Sequence, residues 1–353
     1  MRITLVTALL LAAWVASPAH GREAATLMRS DTVTVLLDRG DINPVAIWIS
    51  QDSTIDASDQ RVGADTIRAA ARDGKIALSI SADQRRYVLL QDGQGDVTVV
   101  AERVLPLEQG SNFRDIGGYV TKDGRTVRWG KAFRSGAMPL LSEADYRLID
   151  QLGVGSVVDL RSLEEREVAP DLVDDRTGAL FISNDYSLKP LMANFGKGNG
   201  ENVYQGMEKL LIPQLRAVYQ RINADQGAVI YHCSAGQDRT GMATALLYDM
   251  LGVDRETILK DYHMSTALRR PQWEMPKVDP ADHSNNPILK YYFSKDETQR
   301  TIAEPLYTRS GASHLTQFFT YIDSQYGGSE GFMKKALQLT DADVEKLRAT
   351  MLR

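Results

Sequence analysis

The run His232-Cys233-Ser234-Ala235-Gly236-Gln237-Asp238-Arg239-Thr240-Gly241 holds a thiol and a guanidinium at the two ends of one short polar loop. An apolar run, Ala228-Val229-Ile230-Tyr231, leads into it, and a helix-forming run from Met242 to Leu251 leads out. The pattern is a buried strand, a loop and a helix N-terminus. Free backbone N–H groups and the helix dipole make such a junction attractive to anions. A cysteine placed there meets a field that favours its nucleophilic thiolate. The arginine supplies a planar, permanently charged fork that fits two oxygens of a phosphate. Nucleophile, N–H ring and clamp together suit phosphoryl transfer through a covalent thiophosphate.

These groups need a sheet to hold them. Ser156-Val157-Val158-Asp159-Leu160-Arg161-Ser162 reads as a strand with its polar residues at the end, and Ala179 to Ile182 as another. Sites collect at the carboxyl ends of parallel strands, so Asp159 belongs at the same end of the sheet as Cys233. Ser142-Glu143-Ala144-Asp145 caps a helix running to Leu152. Glu164-Glu165-Arg166-Glu167 reads as a charged, solvated helical turn. Tyr204 to Ile222 is an amphipathic helix, with Pro213 marking a kink or break. Residues 187–203 are glycine-rich and irregular and read as a mobile lid or insertion. Helices follow at 254–268, 313–325, 329–337 and 340–352, around a mixed, proline-rich stretch at 270–310.

The string His-Cys-x-Ala-Gly-x-Asp-Arg-Thr-Gly at 232–241 resembles the signature loop of cysteine-dependent protein tyrosine phosphatases. More narrowly it resembles a bacterial secreted branch with tyrosine, lipid or "triple" specificity. Asn112-Phe113-Arg114-Asp115 and Phe133-Arg134-Ser135-Gly136 are also similar to that branch, and the likeness spans roughly 107–353. The resemblance implies Cys233 as nucleophile and Arg239 as clamp on the equatorial oxygens. Backbone N–H groups of Ser234, Ala235, Gly236, Gln237 and Asp238 would cradle the phosphate. Thr240 would donate its hydroxyl to the thiolate, and His232 would orient the loop. In this branch the general acid comes from the Asp-Leu-Arg strand end, which implies Asp159; Asp238 is the main rival, with Asp115 and Asp185 behind. Arg114, Asp115 and Arg134 are read as ion pairs supporting the loop. Gln237 departs from the branch, which commonly carries lysine there. A glutamine brings no charge for multiply phosphorylated substrates, which turns the expectation towards phosphotyrosine-type monoesters.

The fold class expected is α/β: a tyrosine-phosphatase-like catalytic domain at 107–353, with a mainly parallel sheet flanked by helices. A small all-β, sandwich-like domain at 22–106 precedes it, read from short alternating strands with an Asp92-Gly93-Gln94-Gly95 turn. Residues 1–21 read as an export signal: Met1-Arg2, an apolar core from Leu5 to Val15, then small-residue cleavage patterns. That core is too short for a permanent span, so no stable membrane anchor is expected, and the protein is placed in the periplasm or outside the cell. The chain of 353 residues carries one cysteine, Cys233, which excludes an internal disulfide. The net charge of -5 argues against nucleic acid as a partner. No cofactor and no metal are called for. The expected partner is a phosphorylated protein or small phosphomonoester, with a phosphoinositide as the alternative. A phosphate-binding module without turnover and a rhodanese-like sulfur carrier are the competing classes.

Overall fold

The computed structural model describes residues 23, 25–29, 34–38, 40–81, 83–189 and 203–353, with the side chains of 69–73 excepted. Residues 1–21, expected to be an export signal, and nearly all of the glycine-rich 187–203 stretch lie outside the described residues. Among those residues, no helix is long and apolar enough to cross a membrane.

The N-terminal part holds two antiparallel sheets. Strands β1 (Thr26–Arg29), β2 (Thr34–Asp38) and β5 (Lys75–Ser79) form one, in the order β1-β2-β5. Strands β3 (Ala46–Ser50), β4 (Gln60–Arg61), β6 (Tyr87–Gln91) and β7 (Val97–Ala101) form the other, in the order β4-β3-β6-β7. Both sheets alternate, and their inward sets meet: Val35, Leu37, Ile76 and Leu78 from one pack with Ile47, Val88, Leu90 and Val100 from the other. A helix at Ala64–Asp73 covers this unit.

The C-terminal part is built on a five-stranded sheet ordered β11-β10-β12-β9-β8. These strands are β8 (Arg114–Asp115), β9 (Ala132–Ser135), β10 (Val154–Asp159), β11 (Leu180–Ser183) and β12 (Ala228–His232). The first four neighbours run parallel; β8 is an antiparallel edge. Helices cover both faces, so β12 is buried along its whole length and reads as one apolar run rather than an alternating one. Register brings the carboxyl ends together: Asp159 pairs with His232 and Ser183, and His232 with Ser135. This is the α/β tyrosine-phosphatase-like fold.

Several local signals act where the residues suggest. Ser142 and Asp145 form a reciprocal cap for the helix Glu143–Asp150, and Asp254 caps Arg255–Leu268. The helix before β12 is broken at Leu211, and Pro213 lies in the first turn of the second piece, Ile212–Ala224. The 270–310 stretch forms a 3-10 turn at Pro271–Trp273 and short helices at Pro287–Ser294 and Glu297–Arg300.

Candidate active site

The strand β12 ends at His232, and the helix Asp238–Leu251 begins five residues after Cys233. Between them the loop turns sharply at Gly236, whose φ is +67°. A Cβ there would lie 2.6 Å from the Ser135 carbonyl group, so only glycine fits both the angle and the space.

Three successive carbonyls of the loop, those of Ser234, Ala235 and Gly236, face its support. Ala137 N–H donates to the Ser234 carbonyl at 2.9 Å. Asn112 Nδ2 donates to the carbonyls of Ala235 (3.1 Å) and Gly236 (2.9 Å), and Arg134 Nη2 donates to Gly236 at 2.9 Å. With their carbonyls held behind, these peptide units are free to turn N–H groups towards an anion. Asn112 and Arg134 are themselves anchored. Arg114 donates to the Asn112 side chain and to Asp261, and Arg134 meets the other Asp261 oxygen at 2.7 Å. Ser265 Oγ accepts from both arginines. Burial opposes the Asp261 charge, but Arg114 and Arg134 outweigh it and hold the carboxyl at about 2. The expected role of Arg114 and Arg134 as supports is what the structure shows.

Arg239 is gripped from the front by Glu165. Nη2 meets Oε1 and Nη1 meets Oε2, each at 2.6 Å, and Nη1 also donates to the Tyr186 hydroxyl at 2.9 Å. Among the described residues Arg239 Nε has no partner, so the Nε side of the fork stays open. Glu165 also accepts from Ser234 Oγ at 2.6 Å and from the N–H of Ser162 at 2.9 Å. Burial would raise this carboxyl, yet Arg239 and Ser234 hold it at about 2. The Tyr186 hydroxyl is pushed up to about 12 by burial.

Here the solvated reading of 164–167 is corrected. Glu164 and Glu165 are buried, because Ser162 and Glu165 form a reciprocal cap that folds the carboxylate back over the end of β10. Glu165 is the residue sequence reasoning missed. Its signal was the Ser-x-x-Glu spacing, a capping box.

Asp159 sits at the strand end opposite His232, on the same edge as Cys233. Its side chain is fully buried, however, and both oxygens are taken by Arg161, at 3.0 and 2.7 Å, with the Arg161 N–H at 2.9 Å. Arg161 bridges on to Asp171 at 2.8 Å, and His232 Nε2 lies 3.1 Å from Asp171 and 3.8 Å from Asp159. Burial acts against the Asp159 charge, but His232 and Arg161 keep its carboxyl below the ordinary range. Burial pushes Asp171 up. These two carboxylates and His232 are the metal-like grouping among the described residues, and the Arg161 guanidinium already bridges both carboxylates.

Thr240 Oγ1 is buried with no hydrogen-bond partner, which is costly for a hydroxyl and leaves it available to the loop. Asp238 is half-buried, and one oxygen accepts from the Tyr204 hydroxyl at 2.6 Å, itself hydrogen-bonded to Tyr262. Cys233 is buried and is a free thiol. Asp115 is buried against Arg85, and the exposed Asp185 pairs with Arg166, so neither reaches the loop's open face by these contacts. Gln237 is 2% exposed. Arg269 Nη1 donates to its oxygen at 2.9 Å, and its Nε2 donates to the Glu304 carbonyl at 3.2 Å. Its side chain fastens the 269–304 stretch to the loop.

A loop between a parallel strand and a helix, with a thiol at one end and an arginine at the other, is an arrangement that suits an α/β phosphatase. Residues 105–353 match the tyrosine phosphatase family, and the chain belongs to it. A tyrosine-protein phosphatase of Nostoc commune is 30% identical over 227 residues, covering 62% of this chain and 73% of that one. The triple specificity protein phosphatase PtpB of Mycobacterium tuberculosis is 26% identical over 286 residues, covering 68% of this chain and 96% of that one. The protein is thus a hydrolase of the protein-tyrosine-phosphatase class, acting on phosphotyrosine-type substrates.

Proposed function

We propose that this enzyme hydrolyses phosphotyrosine through a phosphocysteine, in two displacements. The Cys233 thiolate attacks phosphorus in line, the ester P–O bond breaks, and the departing oxygen takes a proton from Asp238. The Asp238 carboxylate then removes a proton from water. That water attacks phosphorus, the P–S bond breaks, and inorganic phosphate leaves while Thr240 hydrogen-bonds the returning thiolate. Arg239 holds two equatorial oxygens through its open Nε side, and the loop N–H groups take the rest.

The observation that carries this reading is the orientation of the loop: three successive carbonyls bound behind it and a clamp arginine with an unused edge in front. The choice of Asp238 over Asp159 rests on two facts. Asp159 is spent on Arg161 and held ionised, and an acid needs a proton to give. Asp238 is partly open and has one oxygen outside its bond to Tyr204. Phosphoserine, phosphothreonine and phosphoinositides are secondary substrates to be tested, and export to the periplasm or beyond is the proposed location. Docking of phosphoproteins without turnover is the competing reading.

The test is rapid-quench turnover of an aryl phosphate. The parent should accumulate a covalent phosphoenzyme that is labile in mild acid and stable in alkali, as a P–S bond is, and Cys233→Ser should form none. Full activity in the serine variant would sink the mechanism, and an inactive parent would favour the docking reading. Asp238→Asn should slow esters of poor leaving groups by about 10²–10⁴. Asp159→Asn producing that leaving-group dependence instead would return the acid to the strand end.

A further inference from the structure

The family match begins at residue 105, so the N-terminal β unit lies outside it. Yet that unit sends a buried arginine into the catalytic part. Arg85, on the turn between β5 and β6, is 5% exposed. Its Nη2 reaches the Asp115 carboxylate at 2.6 Å, and its guanidinium lies over the rings of Tyr87 and Phe133. Asp115 is fully buried, and its other partners are the N–H groups of Gly117 and Gly130, each at 2.8 Å. The guanidinium that meets this carboxylate is therefore carried by the β unit.

The same contact is sealed on all sides. Trp129 packs with Leu89, Val99 and Ala101 of the β unit, and its indole N–H donates to the Val99 carbonyl at 3.1 Å. A Cβ on Gly130 would lie 2.4 Å from the Tyr87 hydroxyl, so backbone and ring are in direct contact. Gln151 of the catalytic part accepts from the Arg85 N–H at 2.9 Å and donates to the Asp83 carbonyl at 2.7 Å. Arg103, just after β7, lies 3.9 Å over the Tyr119 ring and donates to the Asp115 carbonyl. A surface with buried ions and interior-like packing is a permanent junction, not a transient docking face.

From Asp115 the path to the loop is short. Asp115 and Arg114 are the two residues of β8, paired with Phe133 and Arg134 of β9. Arg114 holds Asn112, and Asn112 and Arg134 hold the carbonyls of Ala235 and Gly236. We propose that the β unit is a built-in brace of the phosphate loop, and that Arg85 is a positioning residue for catalysis, acting through Asp115 and β8. Removing the arginine leaves the Asp115 carboxylate in the interior without its ion-pair partner, which β8 must relieve by moving. Any shift of β8 reaches the loop through Asn112 and Arg134. The inference rests on the reading of the loop as the phosphate cradle.

The test uses the full chain, with kcat on an aryl phosphate and competitive inhibition by inorganic phosphate, at a temperature where circular dichroism shows each variant folded. Arg85→Met should lower kcat by about 10- to 100-fold and weaken phosphate inhibition, since small misplacements of catalytic groups cost that much. Adding Asp115→Asn, which removes the stranded charge, should recover most of both. Arg85→Lys keeps the cation but loses the fork and the ring stacking, so its kcat and phosphate inhibition should fall between those of the parent and of Arg85→Met. A folded Arg85→Met with parental kcat and phosphate affinity, whatever its melting temperature, would overturn the brace. So would a folded double variant as impaired as the single one. If Arg85→Met does not fold, the double variant and Arg85→Lys decide the matter by the same readings. Phosphate affinity separates this test from that of the mechanism: an active Cys233→Ser would remove the nucleophile assignment and leave the affinity result standing.

Discussion

The two sides of the phosphate loop are held in different ways. Behind it, Asn112, Arg114, Arg134, Asp261 and Ser265 form a fully buried network in which the two guanidinium groups share one carboxylate, and Asn112 and Arg134 hold the loop's carbonyls. In front, Glu165 holds Arg239 by two parallel hydrogen bonds but leaves the Nε side open. The back is closed to solvent and to ligand; the front is half-finished. Rigidity is needed where the N–H groups must not turn, and spare donors are needed where phosphate must enter. The β unit extends the back, through Arg85 and Asp115, and among the described residues it has no counterpart in front.

The largest effect should come from breaking the back. Asp261→Ala strands Arg114 and Arg134 in the interior and should cost about 3–5 kcal/mol of stability. Chemical denaturation would show it as a lower midpoint, and the loss of activity should follow the loss of fold. An Asp261→Ala protein with parental stability would mean that the network is not the support described here.

Breaking the front should spare the fold and hit the chemistry. Glu165→Gln keeps the shape but loses the charge that orients Arg239, and kcat should fall by about 10–100-fold with a smaller change in melting temperature. A change in stability as large as that of Asp261→Ala would erase the distinction between the two sides.

Acid should act on both sides. Glu165 and Asp261 ordinarily titrate at 4.5 and 3.8, and both are held at about 2 in the fold. Each therefore adds stability that is fully present above its ordinary value and is lost as pH falls towards 2. The melting temperature should drop steeply between about pH 5 and 2, and Glu165→Gln should flatten part of that drop. An unchanged pH profile in the variant would show that another group carries the acid sensitivity.

The smallest expected effect is at Gln237. Gln237→Ala frees the Glu304 carbonyl and one Arg269 donor, so stability should fall by about 1 kcal/mol. KM should shift several-fold while kcat stays within about threefold. A large kcat loss would place Gln237 with the cradle rather than with the stretch that leans on it.

Much of the site could be read along the chain because its parts are neighbours in it. The strand, the loop and the helix at 228–251 are one continuous run, and the apolar stretch, the glycine and the helix formers each act locally. Strands β10 and β11 fall within three residues of the expected positions, and the capped helices lie where their caps predict. The short β9 was hidden, since Phe133-Arg134 offers no alternation to see, and its burial comes from β12 and β8 on either side. Glu165 was misjudged because four charged residues in a row look like a surface, and only a partner 74 positions away makes burying one of them favourable.

The sequence by itself determined the chemistry of the loop: which residue can attack, which can clamp, and that a helix start lies beneath them. It also determined local punctuation, from the Ser142 cap to the break at Pro213, because hydrogen bonds between near neighbours need no knowledge of the fold. The tertiary structure alone decided which charge meets which. Asp159 went to Arg161 rather than the open site, Glu165 to Arg239, Gln237 to Arg269, and Asp115 to an arginine of the β unit. An ionic side chain has many possible partners of opposite sign. The one it finds depends on which strand ends the sheet brings side by side, and on which carboxylate burial leaves without water.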